Sequence, residues 1–290
     1  MSLAILVQLA INGILLGGVY ALAALGLSLI FGVSGVLNLA HGEFLMVSGF
    51  IVFLVFDRWG INPFLLVALI SPLFFVVGYF FEKGLISPLA LRKEHVRLAS
   101  ATLVTLGAAL MIEDVAAFAS QDVQFEKSVD VFLPTLVLGE IYLPSLKLLV
   151  FGLVVALIVA LMIFLKYTYL GLAVKAVSQN RRGALLNGVN TVRINSIAFG
   201  LGTVLAAAAG GLEVIHSYVA PDIGLPLTLK YLVIVVMGGL GSFMGAAVGG
   251  VIIGLGESFV GFFNPNWGQT VAYLLLVAVL LVRPQGLFGK

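Results

Sequence analysis

The length of its charge-free runs constrains this chain more than any other feature. No Asp, Glu, Lys or Arg occurs in the first 42 residues, and further uncharged runs cover 62–81, 98–112, 148–165, 194–212, 231–256 and 258–282. A helix needs about 20 mostly apolar residues to cross a bilayer. Only 10% of the 290 residues are charged and 61% are hydrophobic, where a soluble domain carries about 25% charged residues. The expected fold is an all-α polytopic membrane bundle of about eight spans forming a single domain, 1–290. The 34 glycines fit close helix packing and helix breaks. The apolar N-terminal stretch has no basic leader and runs past the length of a signal peptide, so it is expected to remain as a first membrane helix.

Charge between the runs sets the orientation. The segment 83–97 carries Lys83, Arg92, Lys93 and Arg97, the segment 166–193 carries Lys166, Lys175, Arg181, Arg182 and Arg193, and the tail carries Arg283 and Lys290. These belong on the cytoplasmic side. The segment 120–147, with Asp122, Glu126, Asp130 and Glu140, and the segment 213–230, with Glu213 and Asp222, belong on the opposite side.

Parity then constrains the C-terminal third. With 194–212 running outward, one span at 231–256 and another at 268–282 would leave the basic tail outside. A re-entrant pair of short helices turning at Gly238, Gly239, Leu240, Gly241 and Ser242 removes the conflict. It would make this turn an element of a route, because irregular backbone at membrane depth has to line a cavity or be buried in protein. The competing reading is a glycine-rich packing face, Gly245-x3-Gly249 and Gly250-x3-Gly254.

A second break is expected near 32–41. Gly32, Gly35 and Asn38 are poor interior helix residues, and they precede His41 and Glu43. A charge at the bilayer centre costs roughly 2.5–3.5 kcal/mol on insertion scales and therefore turns to a cavity or a partner. Either Asn38, His41 and Glu43 hold the break and mark a membrane boundary, or they line a gate.

The stretch 168–193 is too polar to span yet reads helical over about 169–188, roughly five turns, apolar on one side and basic on the other. Gly188 supplies a stop and Asn190 or Thr191 a cap for the next helix. Such a helix lies on anionic lipid or serves as a lever for a soluble partner.

Several chemistries are excluded or unsupported. With no cysteine there is no disulfide or thiolate site. His41, His95 and His216 have no metal-ligand spacing, and no G-x-S-x-G nucleophile motif occurs. No G-x-x-x-x-G-K-[ST] loop is present, so ATP cannot bind here in the P-loop manner. Nothing points to nucleic acid. An ion-coupled secondary transporter remains a rival, with Glu43, Glu113, Asp114, Glu213 and Glu257 as its carboxylates.

Three stretches, in order, resemble the permease subunits of ABC importers for branched-chain amino acids, of the LivH-like type: GLSLIFGVSGVLNLAHGEFLM at 26–46, GLAVKAVSQNRRGALLNGVNTVRI at 171–194 and VVMGGLGSFMGAAVGGVIIG at 235–254. The ending LLVRPQGLFG at 280–289 fits as well. The basic loop in such permeases more often has Arg-Ala where this chain has Lys175-Ala176. The resemblance implies an inner-membrane permease paired with a second, LivM-like permease. Two cytoplasmic ATPase subunits would hold the ATP, a periplasmic binding protein would deliver the amino acid, and no cofactor would sit in this chain. It implies that 169–188 is a coupling helix with Gly171, Lys175, Gln179, Asn180, Ala184 and Gly188 at the ATPase; charge adds Arg181 and Arg182. Related permeases for urea or short amides keep the substrate open.

Overall fold

A computed structural model describes residues 2–91, 94–120, 126–129, 131–268 and 270–289. The loop charges Arg92, Lys93, Asp122, Asp130 and Lys290 lie outside the described residues. The chain forms α1 (Leu3–Ser34), α2 (His41–Trp59) and α3 (Pro63–Phe81), then a π-helical turn (Glu82–Ile86) and a 3-10 turn (Ser87–Leu91). There follow α4 (Glu94–Ser120), a small hairpin of β1 (Leu136–Leu138) and β2 (Ile141–Leu143), α5 (Ser145–Tyr167), α6 (Tyr169–Gln179) and α7 (Arg181–Leu186). The last third holds α8 (Thr191–His216), α9 (Gly224–Gly238), α10 (Phe243–Phe263), α11 (Pro265–Gly268) and α12 (Thr270–Val282).

Two helices form the centre. Every residue of α1 from Val19 to Ile30 is buried, as are 194–200 and 205–212 of α8. A helix that is apolar all round is buried all round, and α3, α2, α10 and α9 surround this pair. Small residues set the closest approaches. Gly250 of α10 meets Ala21 of α1, and Gly254 meets Gly17, while Gly245 and Gly249 face Gly238 and Ile234 of α9. The glycine repeat of α10 is therefore a two-sided packing seam.

The outer helices show the opposite pattern. Leu65, Leu69, Leu73, Val76 and Phe80 leave an exposed apolar stripe along α3, and Leu103, Leu110, Met111, Val115 and Phe118 one along α4. Stripes of this length suit lipid rather than water. Six helices are long and apolar enough to cross a membrane; α9 and α12 are shorter apolar helices, and α2 has 19 residues but carries more charge.

The C-terminal third differs in detail from the re-entrant reading. The segment 231–256 belongs to two helices, α9 and α10, and α10 has the full 21 residues of a span. The polypeptide between them turns through Gly239 and Gly241, whose φ angles of 103° and 78° fall in the left-handed region that favours glycine. After α12 the tail returns to this turn: the Leu287 and Phe288 N–H groups donate to the Met237 and Gly238 carbonyls at 2.8 and 3.0 Å. Taking α9, α10 and α12 as three successive passages meets the parity; six helices have the length and composition of a span, and α9 and α12 are shorter apolar ones.

Contacts place the N-terminus. Gln8 of α1 donates to the Tyr142 carbonyl and accepts from the Tyr142 N–H, both at 2.8 Å. The start of α1 thus lies with the acidic 120–147 segment, and Ser258 near the far end of α10 bonds the Leu9 carbonyl at 2.8 Å. The other end of α1 meets Gly241 through Gly32, and Arg97 lies beside Gly35. An acidic face and a basic face result, with α1 beginning on the acidic one.

Candidate functional site

The break after α1 occupies 35–40. Gly35 caps α1 with a φ of 67°, and the polypeptide folds back against its own helix. His41 is fully buried, and its Nε2 lies 3.0 Å from the Ala23 carbonyl, deep in α1. Asn38 accepts from the Ala40 N–H at 3.2 Å. The Thr105 hydroxyl of α4 accepts from the Leu39 N–H at 3.2 Å. From α9, Thr228 accepts from the Gly42 N–H at 2.7 Å and faces the Gly224 and Leu39 carbonyls at 3.1 and 3.2 Å. These bonds satisfy backbone groups that a break would otherwise leave open. Gly42 and Gly224 touch so closely that a Cβ on Gly42 would collide with the Gly224 carbonyl.

Glu43 and His41 do not pair with each other. The Glu43 carboxylate is wholly buried against Gly224, the first residue of α9, and neither oxygen has a hydrogen-bond partner.

The turn of Gly238, Gly239, Gly241 and Ser242 lies elsewhere. Ser242 caps α10 by accepting from the Gly245 N–H at 3.0 Å. The turn packs against Gly32, whereas His41 returns to Ala23. Nine residues of α1 separate these contacts, about 13 Å along a helix. The 239–242 turn therefore meets the end of α1 just before the 35–40 break, away from the buried His41, and lies under the tail.

A cluster that the sequence reading did not assemble lies between α1, α9 and α10. The Tyr20 hydroxyl donates to Glu257 Oε2 at 2.7 Å, Lys230 Nζ lies 3.1 Å from Glu257 Oε1, and the same ammonium donates to Tyr20 Oη at 3.2 Å and sits 4.6 Å from its ring centroid. Tyr231 packs edge-on against Tyr20, 6.2 Å between ring centres. The available signal was a lone lysine and a lone glutamate flanking one uncharged run; their pairing needs the fold.

On the basic face the expected single helix at 169–188 is two. Asn180 leaves helical geometry at φ −153° and ψ 93° and caps α7 by accepting from the Gly183 N–H at 2.8 Å. An asparagine that bonds its own backbone competes with the helix, which explains the break. Thr168 caps α6 and Asn190 caps α8 in the same way, and Gly188 turns at a φ of 80°. Gly171 and Ala184 face inward, Gly171 so tightly against Phe164 and Leu165 that no side chain fits. Lys175 is half-buried, while Gln179, Asn180, Arg182 and Gly188 are exposed. Arg181 lies half-buried beside Glu82 and Arg97; burial, then the Arg97 charge, lowers its pKa, and Glu82 opposes the shift. Glu82 in turn accepts from Ser196 of α8. On the acidic face, burial and then the carboxylates of Glu126, Asp222 and Glu213 raise the pKa of Tyr218, which keeps this phenol neutral.

Among the described residues no group of three or more His, Cys, Asp or Glu could hold a metal ion.

Comparison with known proteins agrees with this architecture. The chain is 30% identical, over 98% of its length and 95% of that protein's, to the high-affinity branched-chain amino acid transport system permease protein BraD of Pseudomonas aeruginosa. It is 30% identical to LivH of Salmonella typhimurium over the same shares, and 26% identical to the probable LivH of Methanocaldococcus jannaschii over 96% of this chain and 91% of that one. The fold is shared with a chain of PsaBC from Streptococcus pneumoniae, solved in complex with Fab, at a TM-score of 0.52 and 12% identity, covering 96% of this chain and 92% of that chain. Residues 9–280 match the family described as branched-chain amino acid transport system / permease component, and the chain belongs to that family.

Proposed function

We propose that this chain is one membrane subunit of an ATP-driven importer, and that it passes branched-chain, hydrophobic amino acids across the bacterial inner membrane by alternating access. The observation that carries this reading is the α6–α7 element. It is tied at both ends to membrane helices, seated through Gly171, Val174 and Val177, and open to solvent at Leu185, Leu186 and Arg182. An apolar, basic lip on a rigid seat is a docking surface for a soluble protein on the positive, cytoplasmic side. The chain lacks a P-loop, so ATP hydrolysis belongs to separate ATPase subunits, two by family resemblance. A second permease completes the membrane unit, and a periplasmic binding protein supplies the amino acid.

In this reading ATP binding moves α6 and α7, and Arg181 carries the motion toward Glu82, Ser196 and the end of α1. Asn38, His41 and Glu43 hold the break beside the route, and the 239–242 turn acts as a joint between α9 and α10. Neither group performs covalent chemistry.

The test is reconstitution of the copurified complex in proteoliposomes, with uptake of labelled leucine measured with ATP inside and an uncoupler present. Uptake that needs ATP and survives the uncoupler supports the reading. Uptake lost to the uncoupler while ATP is maintained overturns it in favour of ion coupling. Competition by urea or short amides but not by leucine would move the substrate.

A further inference from the structure

A cavity of about 370 Å³ lies between α1, α5, α8 and α10 and is closed in part by α11. One wall is apolar, made by Leu15, Leu16, Val19 and Val150. The rest of the lining carries the polar side chains of Asn12, Lys147, His216, Glu257 and Ser258. Pockets that hold small ligands run from roughly 300 to 1,000 Å³ and combine apolar walls with a few placed polar groups.

The polar groups show what kind of ligand fits. His216 Nδ1 lies 3.0 Å from the Leu212 carbonyl, and a carbonyl can only accept. In the neutral ring Nε2 is then an acceptor, and it is buried with no hydrogen-bond partner. Glu257 Oε1, which also lines the cavity, is buried and held by nothing but its ion pair with Lys230. Two buried acceptors without a hydrogen-bond donor call for a ligand that brings N–H groups. Lys147 supplies a cation on the same wall set, half-buried on the first turn of α5. An ammonium, a carboxylate and an aliphatic side chain on one small molecule match the acceptors, the lysine and the leucine-valine wall.

We propose that this cavity is a binding site for a zwitterionic aliphatic amino acid within the chain itself, entered from the acidic face near Pro265 and Lys147. The ammonium is held at Glu257 and His216, the carboxylate at Lys147, and the side chain against Leu15, Leu16 and Val19. Outside the lining, Tyr20 and Lys230 hold the Glu257 carboxylate in place. The inference deepens the transport reading and rests on it.

The test uses the intact importer complex in nanodiscs, without the binding protein, and a diazirine analogue of leucine. Label on peptides containing 12–19 or 257–261, displaced by excess L-leucine, is expected. Label confined to other peptides overturns the site. Leu16→Trp, which fills the cavity, is expected to weaken equilibrium L-leucine binding at least about tenfold, as is Lys147→Met, which leaves the cavity shape and serves if the tryptophan variant fails to assemble. Wild-type binding in Lys147→Met overturns the proposal. Leucine uptake by the wild-type complex, measured in parallel, separates the two readings. Absent uptake defeats the transport reading, whereas normal uptake with unchanged variant binding defeats only this site.

Discussion

Replacing Lys230 by methionine would leave the Glu257 carboxylate inside the bundle without its counter-charge. The two groups are 3.1 Å apart, with side-chain exposures of 13% and 8%. At an effective dielectric of about 20 their attraction is roughly 5 kcal/mol. Tyr20 would keep its 2.7 Å bond to the other oxygen, worth about 1.5–3 kcal/mol to a charged acceptor, so some of the charge stays solvated. The expected net loss is about 3–5 kcal/mol, the range for removing one partner of a buried pair. Glu257→Leu alone should expose Lys230 to the same penalty. The double variant removes both charges and should lose less than either single one. The assay is the fraction of purified protein that stays monodisperse after heating, for the wild type and the three variants. Single variants should melt lower by on the order of 10 °C, and the double variant should recover part of that. If the double variant lost the sum of the two single losses, the buried-pair argument would be refuted.

Other outcomes follow from particular contacts. Gly42→Ala should cost about 1–3 kcal/mol through overpacking against the Gly224 carbonyl. Gly152→Ala, where a Cβ meets open space, should be neutral or stabilising by about 0.5–1 kcal/mol; equal melting of the two would refute the contact. Leu240→Cys at the α9–α10 turn should react with an impermeant maleimide only from the basic face, and Leu3→Cys only from the acidic face; labelling of both from one side would overturn the placement of these two sites on opposite faces. Arg181→Glu with Arg182→Glu should insert normally yet abolish ATP-driven uptake, and normal uptake would remove both residues from coupling.

Much of this protein was legible from charge spacing alone. Long uncharged runs have one physical outcome, because an unpaired backbone in lipid is too costly for anything but helices or a closed barrel. The uneven distribution of Lys and Arg set the two faces, and both helix breaks were visible because Gly, Asn and a buried charge weaken a helix locally. Asn190 and Gly188 could be assigned their capping and stopping roles because those depend on a few neighbouring residues. The split at Asn180 was also a local event, but a cap and an exposed polar helix position use the same residue type, so the pattern read as one helix.

What depended on distance in the chain was out of reach. Lys230 and Glu257 are 27 residues apart and Tyr20 is 237 residues from Glu257, and only the packing of α1 against α9 and α10 brings them together. The depth of His41, the seating of Gly42 on Gly224 and the clasp of the tail on α9 have the same origin. Sequence determined which segments are apolar enough to enter the membrane and which loops share a charge sign, since each segment meets the bilayer largely by itself; the face on which α1 begins came from its contacts with the 120–147 segment. Tertiary structure decided which buried polar groups find each other, because that depends on side-chain contact between helices, to which hydropathy is blind.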